Sequence, residues 1–556
     1  MLTAVSTLTA ACSSTTGNAG SAGLGGSAAT SGSVSPGRVS AGKPNVLFVL
    51  TDDMRFDDLQ HLPNVRKLVG EQGMTFDDEF DNVTLCCPAR TSILRGQYSH
   101  NTGVLTNGGN NGGFETAHAS KVEDATIATA MHSAGYSTGL FGKYLNGYPN
   151  TASPSYVPPG WDTWSSSTKG NAYGEYNYTL NENGKQVDYG HKPDDYGTEV
   201  YARQANDFMH QAEKDRKPFF AYLAVYAPHQ PATPAPQDVD AFPGLKAPRD
   251  PAYDEADVSD KPQYIQQLEP LTKKQQNQID VLARKRAQSL QAVDRAAAAL
   301  IDQLTKDGQL ENTYVIFTSD NGFHLGQHRM PAGKQTAYET DVHLPLLVRG
   351  PGVKAGSHTT AITGNIDLAP TIAAIGGATM TDKVDGRSLM PFLDGSASGN
   401  PTDWRQAYLL EHWTATSEVD RSGSGQLEPD DLDQGGAPAD EDTAPPPSPT
   451  TAPTTAPAAP TTTARATTGN PRAGKASGSA IPEFRAIRVA GWTYVEYTTG
   501  EKELYDLSTD PDELNNVAAS ANKALVDQLH QRLEQLRTCA GDSCRSAESA
   551  PLDLRH

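Results

Sequence analysis

The segment Leu85-Cys86-Cys87-Pro88-Ala89-Arg90-Thr91-Ser92-Ile93-Leu94-Arg95-Gly96 sets two thiols ahead of a proline and an arginine in the pattern C-x-P-x-R, with a Leu-x-Gly close behind. A structural cysteine pair is the plain alternative, but adjacent cysteines rarely meet the geometry of a disulfide with each other. Two other short stretches carry oxygen donors. Asp52-Asp53 taken alone reads as a helix cap or a solvated turn, and Asp320-Asn321-Gly322 as a turn after a strand. Together they supply three carboxylates and an amide carbonyl. That hard oxygen set suits calcium or magnesium and not zinc, which calls for His or Cys. Lys143, Lys334 and His229 add positive charge; taken singly they read as solvated lysines and a turn histidine.

These groups need elements that bring them together. Asn45 to Leu50 is a continuous apolar run, the pattern of a strand buried on both faces, and it ends in Thr51-Asp52-Asp53. Phe219 to Tyr226 repeats the pattern and ends in Ala227-Pro228-His229; Tyr314-Val315-Ile316-Phe317 leads to Ser319-Asp320-Asn321. Polar groups thus follow the C-terminal ends of buried strands, the edge at which open α/β sheets bind ligands. Between strands, Ile279, Leu282, Leu290, Val293, Leu300 and Leu304 fall at roughly helical spacing within Gln275 to Leu304. An α/β fold with a large, mostly parallel sheet flanked by helices is expected over residues 43–400. The length, 556 residues, leaves room for a smaller region over 401–545 and a tail, 546–556. There, Phe484 to Val489, Trp492 to Tyr497 across an Ala490-Gly491 turn, and Glu503 to Leu507 read as an antiparallel sheet. Leu525, Leu529, Leu533 and Leu536 mark a closing helix. Residues 417–480 interrupt this region, with an acidic stretch around Pro429 to Asp442 and a Pro/Thr/Ala tract from Thr443 to Thr468. Such a composition buries too little apolar surface to fold, so a disordered insertion is expected ahead of the antiparallel sheet.

With its blocks in this order the chain resembles the type I sulfatases of the alkaline-phosphatase-like superfamily. The likeness runs from Asn45 to about Cys544. Beyond the cysteine motif it rests on Phe141-Gly142-Lys143-Tyr144, Ala227-Pro228-His229 and Pro331-Ala332-Gly333-Lys334 with Tyr338-Glu339 and Pro345-Leu346-Leu347-Val348. Asn365 to Thr371, and Leu504-Tyr505-Asp506-Leu507 with Asp510-Pro511, match structural landmarks. The resemblance implies hydrolysis of sulfate esters. It implies that a maturation enzyme oxidises Cys86 to formylglycine, whose hydrate offers one oxygen to attack sulfur and a second to expel sulfate. It further implies a calcium ion, with magnesium as the alternative, on Asp52, Asp53, Asp320 and Asn321. By the same resemblance, Arg90 orients the diol, Lys143 and Lys334 neutralise sulfate oxygens, and His229 binds sulfate and helps the leaving oxygen depart. Cations play this part around a transferring phosphoryl group as well.

One position departs from many sulfatases: Leu145 stands two residues after Lys143, where they carry a histidine. Gly142-Lys143-Tyr144-Leu145-Asn146, Cys-Cys-Pro with Gln97-Tyr98-Ser99-His100-Asn101 downstream, and Val348-Arg349-Gly350-Pro351-Gly352 are similar to N-acetylglucosamine-6-sulfatases and extracellular heparan endosulfatases. That branch implies a 6-O-sulfated N-acetylglucosamine unit of a glycosaminoglycan or mucin-type glycan. Asn146 and His100 are the sugar-binding candidates, with Tyr144 and Asn101 as further neutral partners. Asp320, His100 and His324 stand as alternatives for the base that resolves the intermediate. Competing readings are an arylsulfatase, a phosphonate or phosphodiester hydrolase of the same fold and, in another class, a glycan-binding protein built on a degenerate sulfatase domain.

The formal net charge of −21 argues against nucleic acid as a partner. It gives no general pull toward a polyanionic glycan either, so sulfate recognition falls to a few local cations. No apolar run of about 18 residues is present to span a membrane. Thr9-Ala10-Ala11-Cys12 resembles a degenerate lipobox, without the basic region and long apolar core of a lipoprotein signal. Two readings stand: a truncated signal over 1–12, its true start upstream, with a lipid anchor at Cys12 at the membrane surface, or a disordered leader that happens to hold a cysteine. The Ser/Gly/Ala/Thr run from Ser13 to Gly42 is a flexible tether in either case. Cys539 and Cys544 flank a short glycine-containing loop that a disulfide could close. Such a staple fits an extracytoplasmic protein, secreted or anchored as a bacterial lipoprotein.

Overall fold

The computed structural model describes residues 42–397, 404–414 and 481–554. Cys12, nearly all of the Ser/Gly tether and the tract from Ser417 to Ala480 lie outside the described residues.

Eleven strands of the described chain form one sheet. They are β1 (Asn45–Thr51), β2 (Met74–Phe80), β3 (Ser137–Gly142), β4 (Thr163–Gly170), β5 (Tyr178–Glu182), β6 (Lys185–Tyr189), β7 (Phe219–Ala224), β8 (Thr313–Ser319), β9 (His343–Arg349), β10 (Ser357–Thr359) and β11 (Thr363–Gly364). The order is β10-β2-β9-β8-β1-β7-β3-β4-β5-β6, with β11 also paired to β2. The central block β8-β1-β7-β3-β4 is parallel throughout. β9 joins it antiparallel on one side and the β5-β6 hairpin on the other. β1, β7 and β8 are buried along their whole lengths, which explains their unbroken apolar sequences.

Register brings the ends of four neighbouring strands level. Thr51 pairs with Ser319, Leu50 with Ala224, and Ala224 with Gly142. Just past that line the chain delivers Asp320 and Asn321 from β8, Asp52 and Asp53 from β1, the Ala227-His229 segment from β7, and Lys143 from β3. Hydrogen bonds beyond the strands keep these exits together: Asp320 N donates to Thr51 O (3.1 Å), Asp52 N to Ala227 O (3.2 Å) and Lys143 N to Ala224 O (2.7 Å).

The expected long helix spans Lys273–Lys306, one turn or less beyond the predicted limits. Thr272 and Gln275 form a reciprocal capping box at its start. Its apolar positions divide their work. Leu290, Val293, Leu300 and Leu304 pack under the large sheet, whereas Ile279 and Leu282 join a separate cluster with Phe323 and Leu325. Among the described residues no helix is long and apolar enough to cross a membrane.

The C-terminal sheet is antiparallel, in the order β12 (Ala407–His412), β13 (Phe484–Val489), β14 (Trp492–Tyr497) and β15 (Lys502–Asp506). β12 precedes the low-complexity tract, so the insertion falls within this sheet and not ahead of it. The predicted closing helix is Lys523–Leu536, with Leu525, Leu529, Leu533 and Leu536 buried on the sheet. Cys539 and Cys544 are joined by a disulfide.

Candidate active site

Cys86 opens the buried helix Cys86–Arg95, where Leu85 is the extended N-cap and Gly96 closes the helix in left-handed conformation. Pro88 sits in the first turn, where a missing N–H costs nothing. Cys87 N donates to Asn107 Oδ1 at 2.8 Å, so one otherwise orphaned amide of the helix start is satisfied by a residue outside every motif. The positive end of the helix therefore faces the strand ends that carry the carboxylates.

Around Cys86 the predicted residues come together. Its Sγ lies 3.4 Å from Asp52 Oδ1 and 4.0 Å from Asp53 Oδ1, and Lys334 Nζ lies 2.9 Å from Sγ. Lys334 Nζ also donates to Asp53 Oδ1 at 2.6 Å, and Lys143 Nζ pairs with Asp52 Oδ2 at 2.6 Å. Arg90 Nε donates to Asp320 Oδ2 (2.8 Å), its Nη1 to the Lys143 carbonyl (3.1 Å), and its Nη2 is 3.3 Å from Asp52 Oδ2. His229 Nδ1 faces the Gln230 carbonyl at 2.8 Å, and Nε2 is 3.6 Å from Asp53 Oδ2. Asn321 Nδ2 donates to Asp53 Oδ1 at 2.6 Å.

All of these side chains are buried. Burial alone would raise the Asp52 carboxyl, but Lys143, Arg90 and His229 outweigh it and hold Asp52 below the usual range. The Cys86 thiol is pushed well up, by burial first and then by the Asp52 carboxylate, against Lys143 and Lys334.

The donor set fits a hard divalent cation. Oxygens of Asp52 and Asp53 lie within 4.8 Å of each other and of Cys86 and His229 donor atoms. Asn321 Oδ1 and Asp53 Oδ2 are buried and accept no hydrogen bond from a described residue. Asp320 is more engaged: Oδ1 accepts from the amides of Asp53 (3.1 Å) and Asn321 (2.8 Å). A carboxylate has roughly four lone-pair positions, so capacity for a metal remains.

Not every candidate joins this cluster. His100 rides on the short Ser99–Thr102 turn toward the C-terminal sheet. Its Nδ1 is 3.0 Å from Glu411 Oε2 and its Nε2 is 2.9 Å from the Cys539 carbonyl. Asn101 Nδ2 likewise donates to Asp385 and to the Cys539 carbonyl. Both are contacts that tie the C-terminal region down. His324 pairs through Nδ1 with Asp341 at 3.0 Å, and its backbone bridges Gly333 in both directions, which anchors the segment carrying Lys334.

A pocket opens beside Lys143, lined among others by Tyr144, Asn146, Ser166, Ser167, Tyr173 and Tyr226. Tyr173 and Tyr226 face the Lys143 ammonium, at 4.8 and 6.0 Å to the ring centroids. Asn146 and Tyr144 are buried in its wall, and the Tyr144 hydroxyl donates to the buried Glu123 at 2.9 Å. Tyr173, Ser166 and Ser167 carry no sequence signal; they arrive from β4 and the loop after it.

The family model described as Sulfatase matches residues 44–378. Among curated proteins the chain is 33% identical over 521 residues to N-acetylglucosamine-6-sulfatase of Homo sapiens, covering 91% of this chain and 87% of the relative. It is 28% identical to an arylsulfatase of Volvox carteri, over 90% of this chain and 75% of that protein. A solved structure in complex with its substrate D-glucosamine-2-N,6-O-disulfate superposes with a TM-score of 0.65 at 21% identity, over 92% of this chain and 100% of the other. The phosphonate monoester hydrolase of Agrobacterium radiobacter gives a TM-score of 0.60 at 21% identity, over 89% of this chain and 95% of that one. At these identities the two structures share the fold.

Proposed function

Because the chain belongs to the sulfatase family and is a sulfuric ester hydrolase, we propose that it removes the 6-O-sulfate of N-acetylglucosamine in short or terminal glycan units, with formylglycine made from Cys86 by a maturation enzyme as its nucleophile. The observation that carries this reading is the convergence on Cys86 of Asp52, Asp53, Lys143 and Lys334, with Arg90 locked behind them. In this reading the Cys86 Sγ stands where a diol oxygen would be.

Arg90 is held by Asp320, Asp52 and the Lys143 carbonyl, so its charge stays beside residue 86 without rearrangement. Asp52, Asp53, Asp320 and Asn321 are the ligands we assign to calcium, which when bound neutralises the carboxylates and polarises a sulfate oxygen. The Lys143 and Lys334 ammonium groups, held beside Asp52, Asp53 and Cys86, would neutralise the remaining sulfate oxygens. The Gln230 carbonyl fixes the His229 ring through Nδ1, and a proton at Nε2 is the one available to the departing sugar oxygen.

The uncharged groups around Lys143, among them Asn146, Ser166, Ser167 and Tyr173, are the partners this reading gives the sugar. Asn146 is our candidate for a sugar hydroxyl or acetamido contact. The substrate assignment is supported by the relatives named N-acetylglucosamine-6-sulfatase. The Cys539–Cys544 disulfide supports action outside the cytoplasm.

Specificity constants for N-acetylglucosamine-6-sulfate, a sulfated disaccharide, galactose-6-sulfate, an aryl sulfate and a phosphate diester, measured under one condition, test the reading. The amino-sugar sulfates should lead. An aryl sulfate in front with the amino sugar inert would overturn the substrate class, and a leading diester would move the chemistry to phosphoryl transfer.

A further inference from the structure

Arg286 lies within the Lys273–Lys306 helix, and its side chain is fully buried. Nη2 donates to the Asp53 carbonyl at 2.6 Å and to Asp58 Oδ2 at 2.7 Å. Nη1 reaches the Pro228 carbonyl at 3.4 Å, and the guanidinium carbon is 4.6 Å from the Phe323 ring centroid. One side chain therefore touches the three chain segments that leave β1, β7 and β8 toward the site. Asp58 Oδ2 also accepts from Arg55 N at 3.2 Å, and Arg55 Nη1 donates to the Phe323 carbonyl at 3.0 Å, which closes the network on itself.

Asp53 gains most from this contact. Its φ is 65°, in the left-handed region that side-chain-bearing residues rarely adopt. The backbone is gripped on both sides, since its N–H donates to Asp320 Oδ1 and its carbonyl accepts from Arg286. That conformation aims the Asp53 carboxylate at Lys334, Asn321 and Cys86. The Pro228 carbonyl precedes His229, whose Nε2 faces the same carboxylate.

We propose that Arg286 is a positioning residue of the active site: it holds Asp53 in its left-handed conformation and ties the His229 segment to it, without touching substrate. The proposal rests on the reading of Asp53 as a metal ligand in a sulfate ester hydrolase.

Calorimetric titration with calcium chloride, and kinetics on a sulfate ester, are compared for the matured full-length protein and its Arg286→Met, Arg286→Lys and Asp58→Asn variants. In Arg286→Met, calcium affinity and kcat should each fall about 10- to 100-fold, the range for residues that orient ligands, with KM moving far less. Arg286→Lys should recover part of the loss, since an ammonium cannot span two carbonyls and a carboxylate at once. Asp58→Asn should shift both quantities in the same direction by less. A variant that only melts earlier, with wild-type calcium affinity and kcat, would reduce Arg286 to packing and overturn the proposal. If Arg286→Met does not fold, wild-type values in both other variants overturn it equally. Should the wild type bind calcium yet hydrolyse no sulfate ester, the functional reading fails and the calcium arm still decides for Arg286. Should it bind none, the kcat arm decides.

Discussion

Around Cys86, Asp52, Asp53 and Asp320 meet Arg90, Lys143 and Lys334, and the formal charges of these six buried side chains cancel. The balance offsets the cost of burying these groups together. A divalent cation entering this set leaves a positive surplus that an anionic ester then offsets, so metal and sulfate should favour each other's binding. Calcium at about 100 times its Kd should raise stability by about 2.7 kcal/mol, seen as a higher Tm. Exhaustive chelation should lower Tm and abolish turnover, and Asp52→Ala should do both; undiminished activity with no metal found by elemental analysis contradicts the assignment. The nucleophile has a separate test. Pro88 and Arg90 stand two and four residues after Cys86, the register of the family motif, so peptide mass spectra should carry the CH2–SH to CHO change at Cys86 and not at Cys87. Cys86→Ala should leave no measurable turnover, since no neighbouring group supplies the diol. Active protein with both thiols intact would disprove the modification.

The site depends on four strands ending level, and Gly142 shows how little tolerance that arrangement has. Its φ is 115°, and a Cβ there would lie 1.9 Å from the Ala224 carbonyl, the group that accepts the Lys143 N–H. Gly142→Ala should therefore part β3 from β7 and swing Lys143 off Asp52. We expect kcat to fall at least about 100-fold, as misplacement of about 1 Å does, with a lowered Tm; unchanged kinetics would mean that the strand end does not position Lys143. Elements of this kind were readable where burial is two-sided, as in β1, β7 and β8, because continuous apolar runs leave few alternatives. β4 was not legible because its buried stretch follows Trp164 with Ser165, Ser166 and Ser167, small polar residues with no apolar period. β12 escaped because the low-complexity tract separates it from its partner β13. His412, at the end of β12, is held neutral: burial lowers its pKa from 6.5 to about 4. The unfolded chain takes up that proton first as pH falls. Stability from this group is therefore complete above pH 6.5 and lost toward about pH 4, on the order of 3 kcal/mol. His412→Phe, which keeps the ring against Phe484, should flatten the Tm profile over that interval; an unaltered acid limb would assign the loss elsewhere.

Over the whole molecule, the residues that converge on Cys86 could be read from short motifs, whereas residues that act through tertiary proximity could not. Tyr173, Asn107 and Arg286 stand in no motif, and what each does depends on segments far away in the chain. His100 illustrates the converse: the resemblance made it a candidate, but the turn that carries it faces Glu411 and the C-terminal region. Net charge is a property at this scale too. The protein carries −21 overall, while its compensating cations beside Cys86 are buried and already paired. A long polysulfated chain approaching this surface is repelled over distances that salt controls, with a Debye length of about 30 Å at 0.01 M and about 8 Å at 0.15 M. A sulfated monosaccharide carries one charge, so local groups dominate its binding. Raising ionic strength over that range should lower KM for a heparin-like chain several-fold and leave KM for N-acetylglucosamine-6-sulfate nearly constant. Parallel kinetics on the two substrates at matched calcium separate this screening from any effect of salt on the metal site. A KM for the long chain that rises with salt instead would reveal a basic track on the surface that attracts polysulfated glycans despite the overall charge, and would favour action within chains over action at their ends.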